Sequence, residues 1–398
     1  MTVTTAVVLA GGEGRRLRPL TANRPKPMLR AGDRPILAHV FNSLIEAGIT
    51  EIHVVIGYRG DRVQNHFGSA HDGVDLEYHR QKTQLGSGHA LLQAAGAVDE
   101  PFIVANGDQL TEPSLVDDVA AAHEAGNATA TVGVVRASDA TRYGAVTLDG
   151  DEVVELVERP DDDEYHLLNA GVYAFGPTFF DVLEETPREQ GSISLPAAVE
   201  RVVEDEGAVV RGVRTEGFWT DATYPWDLLA ASRNVLSRGW IAAPEPDPER
   251  WVAETARVHD DAVLRGPVVV GPDAVIGPGV VLGPYASIGR NVTVDANAVV
   301  RNTVVDDDAR IRPNATLVDS VVGQGVRLGA GAVVAGGPAD VQIGTTVHEG
   351  KQLGSVLADR ATLGAGAVVS PGILIGSDAT VEEGVRLRTN VDANANVR

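Results

Sequence analysis

The chain has 398 residues, 43% of them hydrophobic, no cysteine, and a formal net charge of −22. Its length predicts two or three domains with real cores, and the absence of cysteine excludes disulfides and thiolate zinc sites. So acidic a chain is a poor partner for nucleic acid. No apolar run reaches the length of a membrane span, and the N-terminus lacks a signal peptide's basic-then-apolar order, so the expectation is a cytoplasmic protein with no membrane partner.

Ala6 to Ala10 is a short apolar run of the kind a buried parallel strand shows. Gly11, Gly12 and Gly14 follow, where the backbone can approach a ligand closely. Then come Arg15, Arg16, Arg18, Arg24, Lys26 and Arg30, six cations against the single acid Glu13 within residues 1–30. A positive island in an acidic chain calls for a polyanion, and glycines with guanidinium and ammonium groups after a strand point to phosphates. Neither common phosphate motif is present: G-x-G-x-x-G fails and there is no G-K-[S/T]. The simpler alternative is a basic surface loop. Lys26 is one of only three lysines, against thirty arginines, which fits a position needing a compact point charge.

Pro35 to Ala47 has apolar residues at helical spacing and stops at Gly48. Glu51–Gly57 reads as a strand, Asp61–Phe67 as a helix and Asp75–His79 as a strand. This alternation with short connections argues for a mostly parallel, Rossmann-like sheet flanked by helices. Gln81 to Leu92 again sets glycines, Gly86 and Gly88, before a helix. Pro101–Asp108 is a buried strand ending in a glycine and an acid, and ligands in open α/β sheets bind at such carboxyl ends. Trp219-Thr220-Asp221 supplies a second acid far along the chain. Mg²⁺ bound to phosphates uses one or two carboxylates. Pro225–Arg238 reads as a helix and residues 242–250 as a proline-rich acidic linker.

The stretch L-A-G-G-E-G-R-R-L-R-P-L-T followed by R-P-K-P-M resembles the signature of sugar-1-phosphate nucleotidylyltransferases. The resemblance covers Thr5 to about Leu236. It implies that Leu9, Gly11, Gly12 and Gly14 surround the nucleotide, that Arg16 meets its triphosphate and that Lys26 reaches the reacting phosphate. It places Gln81, Gly86 and Ser87 against a pyrimidine; a glutamine amide offers one donor and one acceptor side, as an imide edge requires. Tyr143-Gly144 resembles the family's sugar-site Y-G, Glu158-Arg159-Pro160 its E-K-P and Asn169-Ala170-Gly171 its N-A-G, so Gly144, Glu158 and Asn169 would hold the sugar. Arg159 stands where lysine is usual. Asp108 and Asp221 match the two acids that hold Mg²⁺ in the family. The acid excess and scarce lysine resemble proteins of salt-loving archaea, where high salt screens self-repulsion.

From Val258 an aliphatic residue recurs every sixth position through Leu264, Val270, Ile276, Leu282, Ile288, Val294 and Val300. The register resumes at Val305 and again at Val322, and after a break continues from Leu357 to Leu387. Glycine follows the aliphatic residue at many of these corners, for example Gly271, Gly277 and Gly283. Such a period is that of a hexapeptide parallel β-helix, and the known ones wind left-handed. Residues 336–354 break the register and are expected to leave the coil as a loop.

The two-part order resembles archaeal bifunctional sugar-1-phosphate nucleotidylyltransferase/acetyltransferases, of the N-acetylglucosamine-1-phosphate uridylyltransferase or glucose-1-phosphate thymidylyltransferase type. One departure stands out: Pro313 occupies the place of the acetyltransferase histidine, and proline cannot take a proton from an amine. His348 is the one nearby substitute. The resulting expectation is a nucleotidyltransferase domain over 1–238, a linker over 239–252 and a left-handed β-helix over 253–398. UTP or dTTP and a sugar 1-phosphate are the substrates, Mg²⁺ is the cofactor, and a homotrimer forms through the β-helix. Deleting residues 253–398 should leave an active smaller species. The rival readings are an acetyltransferase acting through the β-helix and a non-catalytic regulatory subunit.

Overall fold

A computed structural model describes residues 3–136, 144–158, 166–205 and 207–398. Tyr143, Arg159 and Pro160 lie outside the described residues. The chain packs as two compact units. One comprises residues 1–13, 25–28 and 36–221, and the other residues 14–24, 29–35 and 222–398.

The first unit is built on one sheet of ten strands: β1 (Thr5–Ala10), β2 (Glu51–Ile56), β3 (Ala70–His71), β4 (Val74–Arg80), β5 (Phe102–Asn106), β6 (Ala130–Arg136), β7 (Gly144–Asp149), β8 (Glu152–Glu158), β9 (Leu167–Phe175) and β10 (Val210–Thr215). Their order is β7-β8-β10-β6-β9-β5-β1-β2-β4-β3. The helices are α1 (Ile36–Glu46), α2 (Gly60–Phe67), α3 (Ser87–Leu91), α4 (Pro113–Glu124), α5 (Phe179–Glu185) and α6 (Leu195–Val203). The early elements fall where periodicity predicts them, α1 ending just before Gly48.

The sheet is mixed rather than mostly parallel. Its β5-β1-β2-β4 portion is parallel throughout. Beyond β5, however, β9 runs antiparallel to both β5 and β6, and β7 pairs antiparallel with β8. The reason is connection length: β7 and β8 are joined by a tight turn, whereas a parallel pair needs a crossover of a dozen residues or more. The parallel portion is the part that delivers the glycine loop, Gln81 and Asp108 to one edge. Beneath it a phenyl stack fills the core, with Phe175 and Phe179 ring centroids 3.8 Å apart and Phe102 and Phe180 5.2 Å apart.

The second unit holds three all-parallel sheets of seven, eight and seven strands, visited in rotation along the chain. Before the register break partners stand 17 or 18 residues apart, as Val270 beside Ile288 and Val305 beside Val322, and across it 35, as Val322 beside Leu357. The predicted aliphatic positions from Val270 to Val381 are buried in one continuous column, because no single turn of so short a chain segment could cover its own apolar face. The arrangement is consistent with a parallel β-helix. The register break is not an irregular loop: Pro338–Ile343 and Thr346–Gln352 form an antiparallel hairpin. Asp319 anchors its base, accepting from Gln352 Nε2 at 2.6 Å and from the Gly337 amide at 3.0 Å.

Helix α7 (Pro225–Arg238) belongs to this unit too. Leu236 packs with Trp251 and Val269, and the Ser232 and Ser287 hydroxyls lie 3.0 Å apart.

Candidate active site

Three residues separated widely in sequence meet at the carboxyl edge of the parallel strands. The Lys26 ammonium lies 2.7 Å from Asp108 Oδ2 and 2.7 Å from Asp221 Oδ1. Asp108 follows β5. Asp221 ends a short strand, Trp219–Asp221, that pairs antiparallel with Gln109–Thr111 and so sets Asp221 opposite Gln109. Burial alone would push the Lys26 ammonium down; the two carboxylates outweigh it and hold the group above the ordinary lysine value. Lys26 is therefore charged at every physiological pH.

Two carboxylate oxygens converging on one cation position form a hard-oxygen donor set, which suits Mg²⁺ better than a soft metal. Asp108 and Asp221 fit the ion that the resemblance implies.

These three side chains line a cavity of about 390 Å³ together with Leu9, Gly11, Gly12, Gln81, Gly86 and Ser87. That volume lies in the range of small-molecule sites. A Cβ on Gly11 would sit 3.2 Å from Gln81 Oε1 and 3.4 Å from the Gly57 nitrogen, so that loop packs against two neighbouring strand ends. Gln81 is buried and its amide nitrogen is already engaged, 3.0 Å from the Gly86 carbonyl and 3.0 Å from His89 Nδ1. The Gln81 side-chain oxygen is left as an acceptor. The Ser87 hydroxyl accepts from the Leu195 amide at 2.9 Å, tying the loop to the start of α6.

Gly86 has φ +96°, and an added Cβ would lie 2.2 Å from the Ile193 carbonyl oxygen. Gly86→Ala is therefore expected to displace the loop, raising KM for the nucleotide more than it lowers kcat. Steady-state kinetics with the nucleotide varied checks this; an unchanged KM would contradict it.

Gly144, Glu158 and Asn169 are brought together on the antiparallel side of the sheet. Gly144 pairs with Glu158 in register and a Cβ on it would touch Asn169 at 3.4 Å. Asn169 is buried, donating to the Tyr173 hydroxyl at 2.6 Å and accepting from the Gly171 amide at 2.9 Å, while Glu158 accepts from the Ser194 hydroxyl at 2.9 Å.

Gly14 and Arg16 belong to the second unit. There the Arg16 guanidinium lies 5.9 Å from the centroid of the Tyr224 ring. Not every cation of the basic stretch is free for phosphate. Arg24 is paired with Asp306 and, at 2.6 Å, with Asp359. Arg30 reaches Asp307 at 2.5 Å and Asp306 at 3.5 Å. His348 is not an isolated histidine either: its ring lies 4.7 Å from Tyr224 and 5.2 Å from Trp226, centroid to centroid.

Sequence reasoning passed over three polar cavity residues: Gln84, which donates to the Gly11 carbonyl at 2.9 Å, and Asn106 and Gln109, joined at 3.2 Å. The last two flank Gly107-Asp108, and a cluster of amides around a strand-end acid was the available signal.

Residues 5–238 match the nucleotidyl transferase family, and residues 264–358 match the GMPPB C-terminal domain. The bifunctional protein GlmU of Methanococcus maripaludis is 32% identical, covering 94% of this chain and 92% of the relative. The UTP–glucose-1-phosphate uridylyltransferase AglF of Haloferax volcanii is 34% identical over 58% of this chain and 96% of its own. Among solved structures, a UDP-glucose pyrophosphorylase complexed with UDP-glucose superposes with a TM-score of 0.54 at 22% identity, covering 59% of this chain and 99% of that one; the likeness is one of fold. The chain belongs to the nucleotidyl transferase family, within the sugar-1-phosphate nucleotidyltransferase class. Among the described residues no helix is long and apolar enough to cross a membrane.

Proposed function

We propose that the protein transfers a nucleotidyl group from UTP or dTTP to glucose 1-phosphate or N-acetylglucosamine 1-phosphate. The observation that carries this reading is the convergence of Lys26, Asp108 and Asp221 in one cavity that the glycine loop also lines. The sugar-phosphate oxygen attacks the α-phosphorus in line, the bond to the bridging oxygen breaks, and pyrophosphate leaves. No protein nucleophile is required, because positioning and charge neutralisation supply the acceleration.

In this scheme Asp108 and Asp221 hold Mg²⁺, which when bound neutralises phosphate oxygens. Lys26 turns from its carboxylates toward the reacting phosphate, and Arg16 offsets charge on the triphosphate. Leu9, Gly11, Gly12 and Gly14 surround the nucleotide, while Gln81, Gly86 and Ser87 hold the base through the Gln81 acceptor oxygen. Gly144, Glu158 and Asn169 hold the sugar hydroxyls.

We assign residues 1–238 to the nucleotidyltransferase domain, 239–252 to a linker and 253–398 to a left-handed hexapeptide β-helix that carries a homotrimer. The acidic composition suits a halophilic, cytoplasmic setting. His348, packed against the stacked Tyr224 and Trp226 rings, and Pro313 leave this region without an assigned acetyl-transfer base. The test is pyrophosphate release from a panel of nucleoside triphosphates and sugar 1-phosphates in high salt with Mg²⁺, beside thiol release from acetyl-CoA with glucosamine 1-phosphate. Turnover with a uracil or thymine nucleotide alone is expected; thiol release without pyrophosphate release would overturn the reading.

A further inference from the structure

Away from the cavity, the first unit carries two histidines and a glutamate on neighbouring parallel strands. The register sets His53 of β2 beside Glu77 of β4, with His79 two residues further along the same strand, so all three side chains emerge on one face. His53 Nδ1 and His79 Nε2 are 3.0 Å apart. Glu77 reaches His53 Nδ1 at 3.7 Å through one oxygen and His79 Nε2 at 3.6 Å through the other. Among the described residues this is the one group of three or more such side chains whose ligand atoms lie within 4.8 Å of one another.

These separations have the size a metal demands. Two ligand atoms each bound at roughly 2.1 Å to a tetrahedral ion stand about 3.4 Å apart, and the three distances here bracket that value. The surroundings also match a ligand set. His53 is 1% exposed and fixed by packing, His79 is 13% exposed, and Glu77, at 59%, is free to swing. Metal-bound histidines usually turn their second nitrogen to a carboxylate, and His53 Nε2 faces Glu51 Oε1 at 3.4 Å. That nitrogen has no hydrogen-bond partner among the described residues, so the outer carboxylate is near but has not closed.

We propose that His53 Nδ1, His79 Nε2 and Glu77 form a three-ligand site for a borderline-soft divalent cation of the Zn²⁺ class, with water in the fourth position. Imidazole donors select Zn²⁺ over Mg²⁺, which keeps to oxygen, so this site is chemically separate from Asp108 and Asp221. The ion would clasp β2 to β4. Those strands lead into Gly57 and Gln81, the two residues packed against Gly11, and the Gln81 backbone N–H donates to the Ile56 carbonyl at 2.8 Å.

The test is a Zn²⁺ titration of the full-length protein by equilibrium dialysis in excess Mg²⁺, which keeps the oxygen site occupied. Co²⁺ then serves as the spectroscopic probe. One equivalent of Zn²⁺ is expected, with the strong visible absorption of four-coordinate Co²⁺. His79→Ala should lose the site, Glu77→Gln should weaken it, and Glu51→Gln should weaken it by roughly 10- to 100-fold. If His79→Ala fails to fold, Glu77→Gln decides, since it alters a mostly exposed carboxylate. Failure to retain Zn²⁺ against Mg²⁺, a six-coordinate Co²⁺ spectrum, or unchanged stoichiometry and affinity in both ligand variants would overturn the assignment.

Discussion

Lys26→Ala is expected to lower kcat by at least ~10²-fold, the scale for losing one preorganised electrostatic group. The geometry gives this substitution two consequences. It removes the charge proposed to face the reacting phosphate, and it leaves Asp108 and Asp221 without the ammonium that now sits 2.7 Å from each. Lys26→Arg should not rescue it, because a planar fork does not replace a point charge held between two single oxygens. The measurement is a pH profile of kcat and KM for both variants; a change confined to KM would make Lys26 a binding anchor.

Arg24→Ala or Asp306→Ala is expected to cost roughly 3–5 kcal/mol of stability, the range for removing one partner of a largely buried ion pair. Arg24 is 11% exposed and Asp306 14%, so solvent screens the pair little. Burial alone would raise the Asp306 carboxyl, but Arg24 and then Arg30 outweigh it and hold it below the usual aspartate value. A depressed folded pKa gives stability that is present above the unfolded aspartate value and lost as pH falls through the folded one. The wild type should thus lose this contribution in acid, whereas the Asp306→Ala variant should show a flatter acid limb. Denaturant midpoints measured from neutral pH downward check both statements.

The same network changes what truncation should do. From the sequence, deleting residues 253–398 is expected to leave an active fragment. Yet Asp306, Asp307 and Asp359, the partners of Arg24 and Arg30, all lie in the deleted part. Arg24 stands two residues before Lys26, so a fragment ending at residue 252 should lose activity along with the order of that stretch.

Much of the fold could be read because its signals are local. Six-residue periodicity exposes the buried column of the three parallel sheets directly, and apolar spacing places α1, α2 and α7. Lys26, Asp108 and Asp221 could be singled out although nearly 200 residues apart, because each sits in a short motif after an apolar strand. Arg24 and Arg30 could not be separated from phosphate-binding cations, since nothing local distinguishes an arginine aimed at a ligand from one aimed at an aspartate some 280 residues later. The direction of β9 was hidden for the same reason, being set by tertiary neighbours.

The most direct test of the central claim is a Mg²⁺ titration of pyrophosphate release by the wild type and by Asp108→Asn and Asp221→Asn. Wild-type turnover should rise with Mg²⁺ and saturate. Each variant should stay folded, because both acids lie at the rim of the sheet, and should lose most turnover without recovery at any Mg²⁺ concentration. Undiminished Mg²⁺-dependent turnover in either variant would contradict the assignment of these two carboxylates and the scheme built on them.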